Sequence, residues 1–172
     1  WNPGLSKHTI DAGFSYKYDL YDDQLDTLSF GRDESVPGIF TQYTYTDSAK
    51  STLIEGVRAD FHTLYGTLFT PRIHLRYVIS PVFTLRASMG KGFRASNILA
   101  ENAFLLASSR TMHIADNLDI EEAWNAGLSL ASTIPYGARM LRLSGEAYRT
   151  SFINQVITDM DADVNEVRFY NL

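Results

Sequence analysis

Apolar and polar residues alternate along this chain in one segment after another, the period of an extended strand with one dry face and one wet face. The first segment, 10–20, sets Ile10, Ala12, Phe14, Tyr16, Tyr18 and Leu20 against Asp11, Ser15, Lys17 and Asp19. Further strands are predicted at 38–46, 51–62, 71–79, 82–92, 119–132 and 139–158, and one more begins near Val167, about eight in all. The contrast is sharpest in 71–79, where Ile73, Leu75, Tyr77 and Ile79 oppose Arg72, His74 and Arg76. A face carrying so many charges is poorly suited to a soluble core. Only 97–109 reads as helical, too little to cover a sheet of this size.

The connections sort by length. Short ones at 46–51, 79–82 and 133–138 take turns with long ones at 20–37, 62–71 and 93–118. In an up-and-down meander every second connection lies on the same side, so this order puts the short turns on one rim and the long loops on the other. Transmembrane β-barrels are built that way. No window approaches the ~20 apolar residues of a spanning helix, whereas strands of ten or so residues match the ~9–11 of a tilted spanning strand. Lipid accepts a sheet only as part of a closed barrel, where no backbone group is left unpaired. The expectation is therefore an all-β fold, an antiparallel up-and-down segment of a transmembrane β-barrel. A soluble β-sheet binding or adhesion module, with its apolar face packed inside, shares the alternation and stays open as an alternative.

Composition narrows the chemistry. A net charge of −5 and no basic face argue against a nucleic-acid partner. With no cysteine there is no disulfide framework, thiolate metal site or Cys nucleophile. The four histidines His8, His62, His74 and His113 are scattered, and no nucleophile elbow occurs, so neither an enzyme nor a cofactor is expected. Gly90-Lys91-Gly92-Phe93-Arg94-Ala95 matches the dinucleotide fingerprint in letters, but its strand alternates and no βαβ unit follows. The spacing Asp159, Asp161, Asp163 suggests a calcium loop, yet Val164 stands where glycine is needed and Tyr170 where glutamate is, so a solvated loop is expected.

Five segments carry a resemblance: Val36-Pro37-Gly38-Ile39-Phe40, Thr70-Pro71-Arg72-Ile73, the run from Arg86 through Gly90-Lys91-Gly92-Phe93-Arg94-Ala95-Ser96-Asn97 to Glu101-Asn102, Glu122-Ala123-Trp124-Asn125-Ala126-Gly127-Leu128, and Tyr148-Arg149-Thr150. In this order they resemble the barrel of TonB-dependent outer-membrane receptors, in particular the siderophore and cobalamin type of Bacteroidetes-like bacteria. The most specific piece is Gly-Lys-Gly-Phe-Arg-Ala-Ser-Asn, similar to the family's Gly-x-Gly-Phe-Arg-Ala-Pro-Asn, with Ser96 in place of the usual proline. Some 25 residues later comes a strand similar to the family's Glu-x-x-x-Asn-x-Gly-Leu.

The resemblance implies that 1–172 is part of a single barrel domain of about 22 strands. The plug domain and both barrel ends are then expected outside this stretch, which starts at Trp1 without a leader and closes at Phe169-Tyr170-Asn171-Leu172 in mid-strand. It implies a bacterial outer-membrane location and active import of a scarce nutrient, siderophore-iron or cobalamin, with a glycan importer or a passive porin as alternatives. The implied partners are outer-membrane lipid, a small nutrient ligand, the receptor's own plug and the TonB complex acting through an N-terminal region not in this chain. Ligand contacts in such receptors come from outer loops. The candidates are Tyr21, Asp22, Asp23 and Asp26 in the first, Tyr65 and Phe69 in the second, and Arg94, Glu101 and Asn102 in the third. The wet-face charges Arg58, Asp60, Arg72, Arg76, Arg86, Arg142 and Glu146 are expected to pair across strands, with contacts to the plug as the alternative.

Overall fold

Seven strands hydrogen-bond in a single antiparallel meander, in the order β1-β2-β3-β4-β5-β7-β8. The structure is a computed structural model that describes residues 7–25, 28–48, 50–115 and 118–172, with side chains for the same residues except 23–25 and 28–30. The wall strands are β1 (His8–Leu25), β2 (Leu28–Asp47), β3 (Ser51–His62), β4 (Gly66–Val78), β5 (Phe83–Arg94), β7 (Glu121–Tyr136) and β8 (Arg139–Ile153). Between β5 and β7 lie the short helix α1 (Ile98–Glu101), a 3-10 turn (Ala103–Ala107) and β6 (Thr111–Ile114). After β8 come β9 (Val156–Asp159) and β10 (Glu166–Asn171). No described helix is long and apolar enough to cross a membrane, a test that does not bear on strands.

Register sorts the side chains into two continuous faces. One row of partners runs Leu53, Leu75, Ala87, Leu128, Ala147, another runs Ile39, Ala59, Phe69, and of the row Tyr43, Glu55, Ile73, Met89, Ala126, Arg149 between them two residues are charged. This face is apolar and bare: Phe14 is 87% exposed, Leu143 55% and Leu128 52%. A soluble sheet with so much uncovered hydrocarbon has no counterpart in the surface patches that monomers tolerate. Tyr45, Tyr77, Phe83 and Tyr136 share the apolar face next to the short turns, the place of an interfacial aromatic girdle. The opposite face carries Arg58, Asp60, Arg72, His74, Arg76, Arg86 and Glu146.

The short turns fall where they are expected, between Asp47 and Ser51, at 79–82 and at 137–138. Gly137 takes φ +60°, a conformation costly for a side-chain-bearing residue, and so closes the two-residue hairpin between β7 and β8.

Two of the three long loops are corrected. Residues 20–37 continue β1 and β2 as a hairpin, with Tyr21 opposite Arg32 and Leu25 opposite Leu28. At 18 and 20 residues these strands are far longer than a membrane requires, so their upper part stands in water. Both faces are wet there, which is why Asp33 and Glu34 interrupt the alternation without ending the strand. Likewise 62–71 contains only a tight turn at 63–65, closed by Gly66 at φ +72°. Pro71 lies within β4, opposite Val57, and its missing N–H is tolerated because the β4–β5 ladder ends one residue below, at Arg72 and Gly90.

The third long segment and the chain's last part fold together into a cap. The strand begun near Val167 is not an eighth wall strand: β10 pairs with β6 in parallel and with β9 antiparallel. Predicted strand 139–158 is cut at Asn154, whose φ of +55° turns the chain out of the wall. The predicted helix at 97–109 is present as α1 and the 3-10 turn, opened by the Asn97 side chain, which accepts from the N–H of Ala100. Ile98, Leu105, Val167 and Phe169 form a small core of their own, with Met112, Ile114, Leu118 and Val156 around it.

Candidate functional site in the upper lumen

The wet face becomes chemically dense at the end of the wall away from the short turns. Lys17, Asp19 and Tyr21 share the parity of Ser15, so all four point to that side of β1. Arg58 binds both carboxylate oxygens of Asp60, two residues along its own strand β3 and not across strands as expected, through Nε at 2.9 and 2.6 Å, and donates from Nη2 to Ser15 Oγ on β1 at 2.6 Å. Arg72 donates to Gln42 Oε1 at 2.8 Å. Higher up, Glu34 is 2% exposed between two cationic or potentially cationic groups, Arg32 Nε at 2.8 Å and His62 Nε2 at 3.5 Å. The Arg32 contact is poorly aligned for a hydrogen bond, so its attraction is electrostatic.

Aromatic groups frame this cluster. The Arg32 guanidinium lies 4.7 Å over the Tyr21 ring, a cation–π arrangement. The Tyr65 ring meets His62 edge-on at 4.9 Å. Burial pushes the Tyr65 phenol above its ordinary pKa, so it stays a neutral hydrogen-bond donor.

A buried carboxylate helps to fasten the cap beside these groups. Glu121 heads β7 and is 8% exposed. It accepts from Arg94 Nε at 2.8 Å and Nη2 at 2.5 Å, from Ser96 Oγ at 2.8 Å and from the Val156 N–H of β9 at 2.9 Å. The Ser96 hydroxyl makes a bond that the proline of the resembled motif could not. Burial alone raises the Glu121 pKa, but the Val156 N–H, with Arg94 and Ser96, outweighs it and the net shift is downward. A carboxylate with a lowered folded pKa contributes stability that is complete above its unfolded pKa and lost as pH falls through the folded one. Acidification below the ordinary glutamate range, about pH 4.3, is therefore expected to loosen the cap. Glu121→Gln should reduce that pH dependence, leaving the part carried by Asp159, at a cost of about 1–2 kcal/mol, kept small because Arg94 is 61% exposed. Hydrogen exchange of β9 amides against pH checks this; a pH profile unchanged by the substitution sinks it.

Two hollows open on this chemistry. One, of about 720 Å³, lies over the wet face and is lined by Lys17, Tyr21, Glu34, Arg58, Arg72 and Arg94 among others. The other, of about 390 Å³, is enclosed by the β1–β2 hairpin, the β3–β4 turn and the cap, with Tyr21, Arg32, Tyr65, Asn97 and Leu118 on its walls.

Among the ligand candidates, Tyr21 reaches both hollows, Tyr65 the second and Arg94 the first. Glu101 is held by Arg94 at 3.1 Å and by the Asn97 N–H at 3.0 Å. Asn102 serves the cap, donating to Ile98 O at 2.9 Å and accepting from Thr158 at 3.5 Å. Asp22 is exposed on β1 opposite Gly31. Phe69 is not in a loop: it sits in β4 opposite Ala59, 56% exposed on the apolar outer face. Asp26 and the side chain of Asp23 lie outside the described residues. Arg32, Glu34 and His62 went unrecognised from sequence, although the parity of Tyr21, carried across the hairpin to Arg32 and Glu34, was a usable signal. In the 159–163 loop, Asp159 Oδ1 accepts from the N–H groups of Asp161 and Ala162, which lowers its pKa, and no metal-binding group of three occurs among the described residues.

Solved structures share this architecture. The siderophore receptor PirA from Pseudomonas aeruginosa matches with a TM-score of 0.70 and 16% identity, over 95% of this chain and 30% of that one. A mutant of the ferric enterobactin receptor PfeA from the same organism matches at 0.69 and 15%, over 95% and 28%. PirA from Acinetobacter baumannii matches at 0.68 and 12%, over 96% and 30%. The chain thus spans less than a third of the length of these receptors, and at such identities the likeness is one of fold. No curated protein sequence matches. A family model described as TonB dependent receptor-like, beta-barrel, matches residues 1–172. With its bare apolar outer face and charged inner face, this chain belongs to that family of transport receptors and is wall from an outer-membrane β-barrel.

Proposed function

We propose that the protein to which this wall belongs is an active-transport receptor that captures a ferric siderophore outside the cell and imports it with energy from the TonB complex. The observation that carries this reading is the pair of upper-lumen hollows, with Tyr21 in both, Arg94 in the first and Arg32 and Tyr65 in the second, so that aromatic faces lie beside guanidinium groups. Such a surface suits a ligand with planar rings and anionic oxygens, and the fold likeness to siderophore receptors points the same way. Tyr21, Tyr65 and Arg94 are the contacts proposed here. A plug domain inside the barrel, an N-terminal segment that engages TonB, and lipid against the apolar face complete the assembly.

Growth tests the reading. A strain lacking the full gene is expected to fail on a ferric siderophore as sole iron source while growing normally on free cobalamin or on glycans. Unimpaired growth on every one of these sources sinks the uptake function, and a defect confined to glycans replaces the ligand class.

A further inference from the structure

The turn at 63–65 sets Tyr65 against the smaller hollow, and two separate devices hold it there. Thr63 is tied to β2: its N–H donates to Ser35 O at 3.1 Å, and its hydroxyl accepts from the Ser35 N–H at 3.1 Å. The Leu64 N–H donates instead to the ring of His62, at Nδ1, over 3.2 Å. A backbone N–H can only donate, so this bond requires a bare Nδ1 and puts the hydrogen of the neutral ring on Nε2. Nε2 faces Glu34 Oε2 at 3.5 Å. In this one tautomer the ring serves two elements at once, offering a hydrogen to β2 and accepting one from the turn.

Protonation undoes that division, because an imidazolium carries a hydrogen on both nitrogens. Nε2 keeps its direction toward Glu34 and gains a full charge there, whereas Nδ1–H meets the Leu64 N–H donor against donor. The ring has little room to turn away: His62 is 5% exposed, and the Tyr65 ring packs edge-on against it at 4.9 Å. Leu64 is 53% exposed, so its N–H is the group that can leave for water. Charges reach the ring from every side. Glu34 on β2 and Asp60 on its own strand favour the cation; Arg32 on β2, Arg58 and Arg72 on β3 and β4, Lys17 on β1 and Arg94 on β5 oppose it. Of these, Arg58 is neutralised by Asp60 and Lys17 by Asp19, while Asp119 stands across the smaller hollow near the Tyr65 phenol.

We propose that His62 is an acid-sensitive latch on the β3–β4 turn, holding the Leu64 corner while neutral and letting it go when protonated. The Thr63 bonds to Ser35 involve no titrating group, so release is confined to 64–66 and the wall stays paired. His62 is thus a positioning residue for Tyr65. The latch itself needs no ligand; its effect on capture rests on the reading of Tyr65 as a ligand contact, and acid is then expected to loosen the hold on the ligand.

Hydrogen exchange by mass spectrometry on the full-length receptor in detergent tests the latch without any ligand. The Leu64 amide is compared at about pH 7.5 and about pH 5.5, corrected for the intrinsic pH dependence of exchange, an interval in which histidine changes charge. Glu121 of the cap, with its lowered pKa, titrates below this interval, under about pH 4.3. Protection in 63–66 is expected to fall at least about threefold on acidification, with β3 and β4 unchanged. His62→Asn is the control, because asparagine Oδ1 stands where Nδ1 does, accepts from the same N–H and does not titrate. The acid-induced loss should vanish in this variant; exchange that is fast at both pH values also assigns the bond to His62, since the acid dependence is gone. A loss under threefold in the unmodified receptor overturns the proposal. So does an equal loss in His62→Asn, which moves the titration to another group such as Glu34. A latch that passes in a receptor whose deletion leaves growth on ferric siderophores unimpaired stands without the siderophore reading.

Discussion

Leu128→Arg in the full-length receptor is expected to cost about 2–4 kcal/mol of folding stability in a lipid bilayer, the price of a cation at mid-membrane on a lipid-facing strand. Leu128 lies near the middle of β7, between Ala87 and Ala147, and is half exposed on the apolar face. Parity makes the control. Asn125, three residues along, points to the wet face opposite Thr150, whose hydroxyl it binds at 2.7 Å. Asn125→Arg should shift stability by no more than about 1 kcal/mol, a normal surface change plus one lost hydrogen bond. Urea unfolding in vesicles gives both values. Equal losses at the two positions contradict the assignment of lipid to the apolar face. A large loss at Leu128 in vesicles that vanishes in a water-soluble form of the protein confirms that hydrocarbon, not a second sheet, is what this face meets.

The same parity explains which parts of the molecule were legible in the sequence. Where one face meets hydrocarbon and the other water, each residue of 51–62, 71–79 and 82–92 is constrained by its side, and the predicted strands match β3, β4 and β5 closely. Above the membrane that constraint lapses. The runs Tyr21-Asp22 and Arg32-Asp33-Glu34 read as loop because they are polar on both faces, yet cross-strand hydrogen bonds carry the hairpin through them. Pro37 and Pro71 look like strand breaks, but each sits where only one neighbour pairs with its strand. The cap was illegible for another reason. Its sheet joins Thr111–Ile114 to Glu166–Asn171 over more than fifty residues, and no local pattern encodes a parallel pairing of that separation. The upper-lumen cluster falls between these cases. Tyr21, Tyr65 and Arg94 were found as aromatic or charged residues near a rim, whereas Glu34 and His62 acquire meaning only when a long hairpin and a tight turn bring them to 3.5 Å.

Phe169→Ala is expected to unfold the cap while leaving the wall intact. Phe169 is 1% exposed and Val167 0%, and with Ile98 and Leu105 they account for the buried residues of the cap's core. Truncating a buried phenylalanine costs about 3–5 kcal/mol. A wall strand can lose that much and stay zipped, because it has a hydrogen-bonded neighbour along most of its length. The cap cannot: β6 and β9 pair over four residues each, and β10 is their one ladder partner among the described strands, so most of its cohesion is this one small core. The unfolding should therefore be local, opening 96–115 and 154–172 together as one cooperative unit. Hydrogen exchange by mass spectrometry on the full-length receptor reads it out, with protection lost in those two stretches and retained in β3, β4 and β5. Loss confined to β10, or loss spread evenly through the wall, contradicts a cap that folds as a unit. The consequence reaches the site, because Asn97 and Leu118 wall the smaller hollow opposite Tyr21 and Tyr65. With the cap open, those tyrosines keep their place on the hairpin and turn but lose the surface that closes over them, so capture of the ligand proposed above should weaken through faster release while the barrel remains in the membrane.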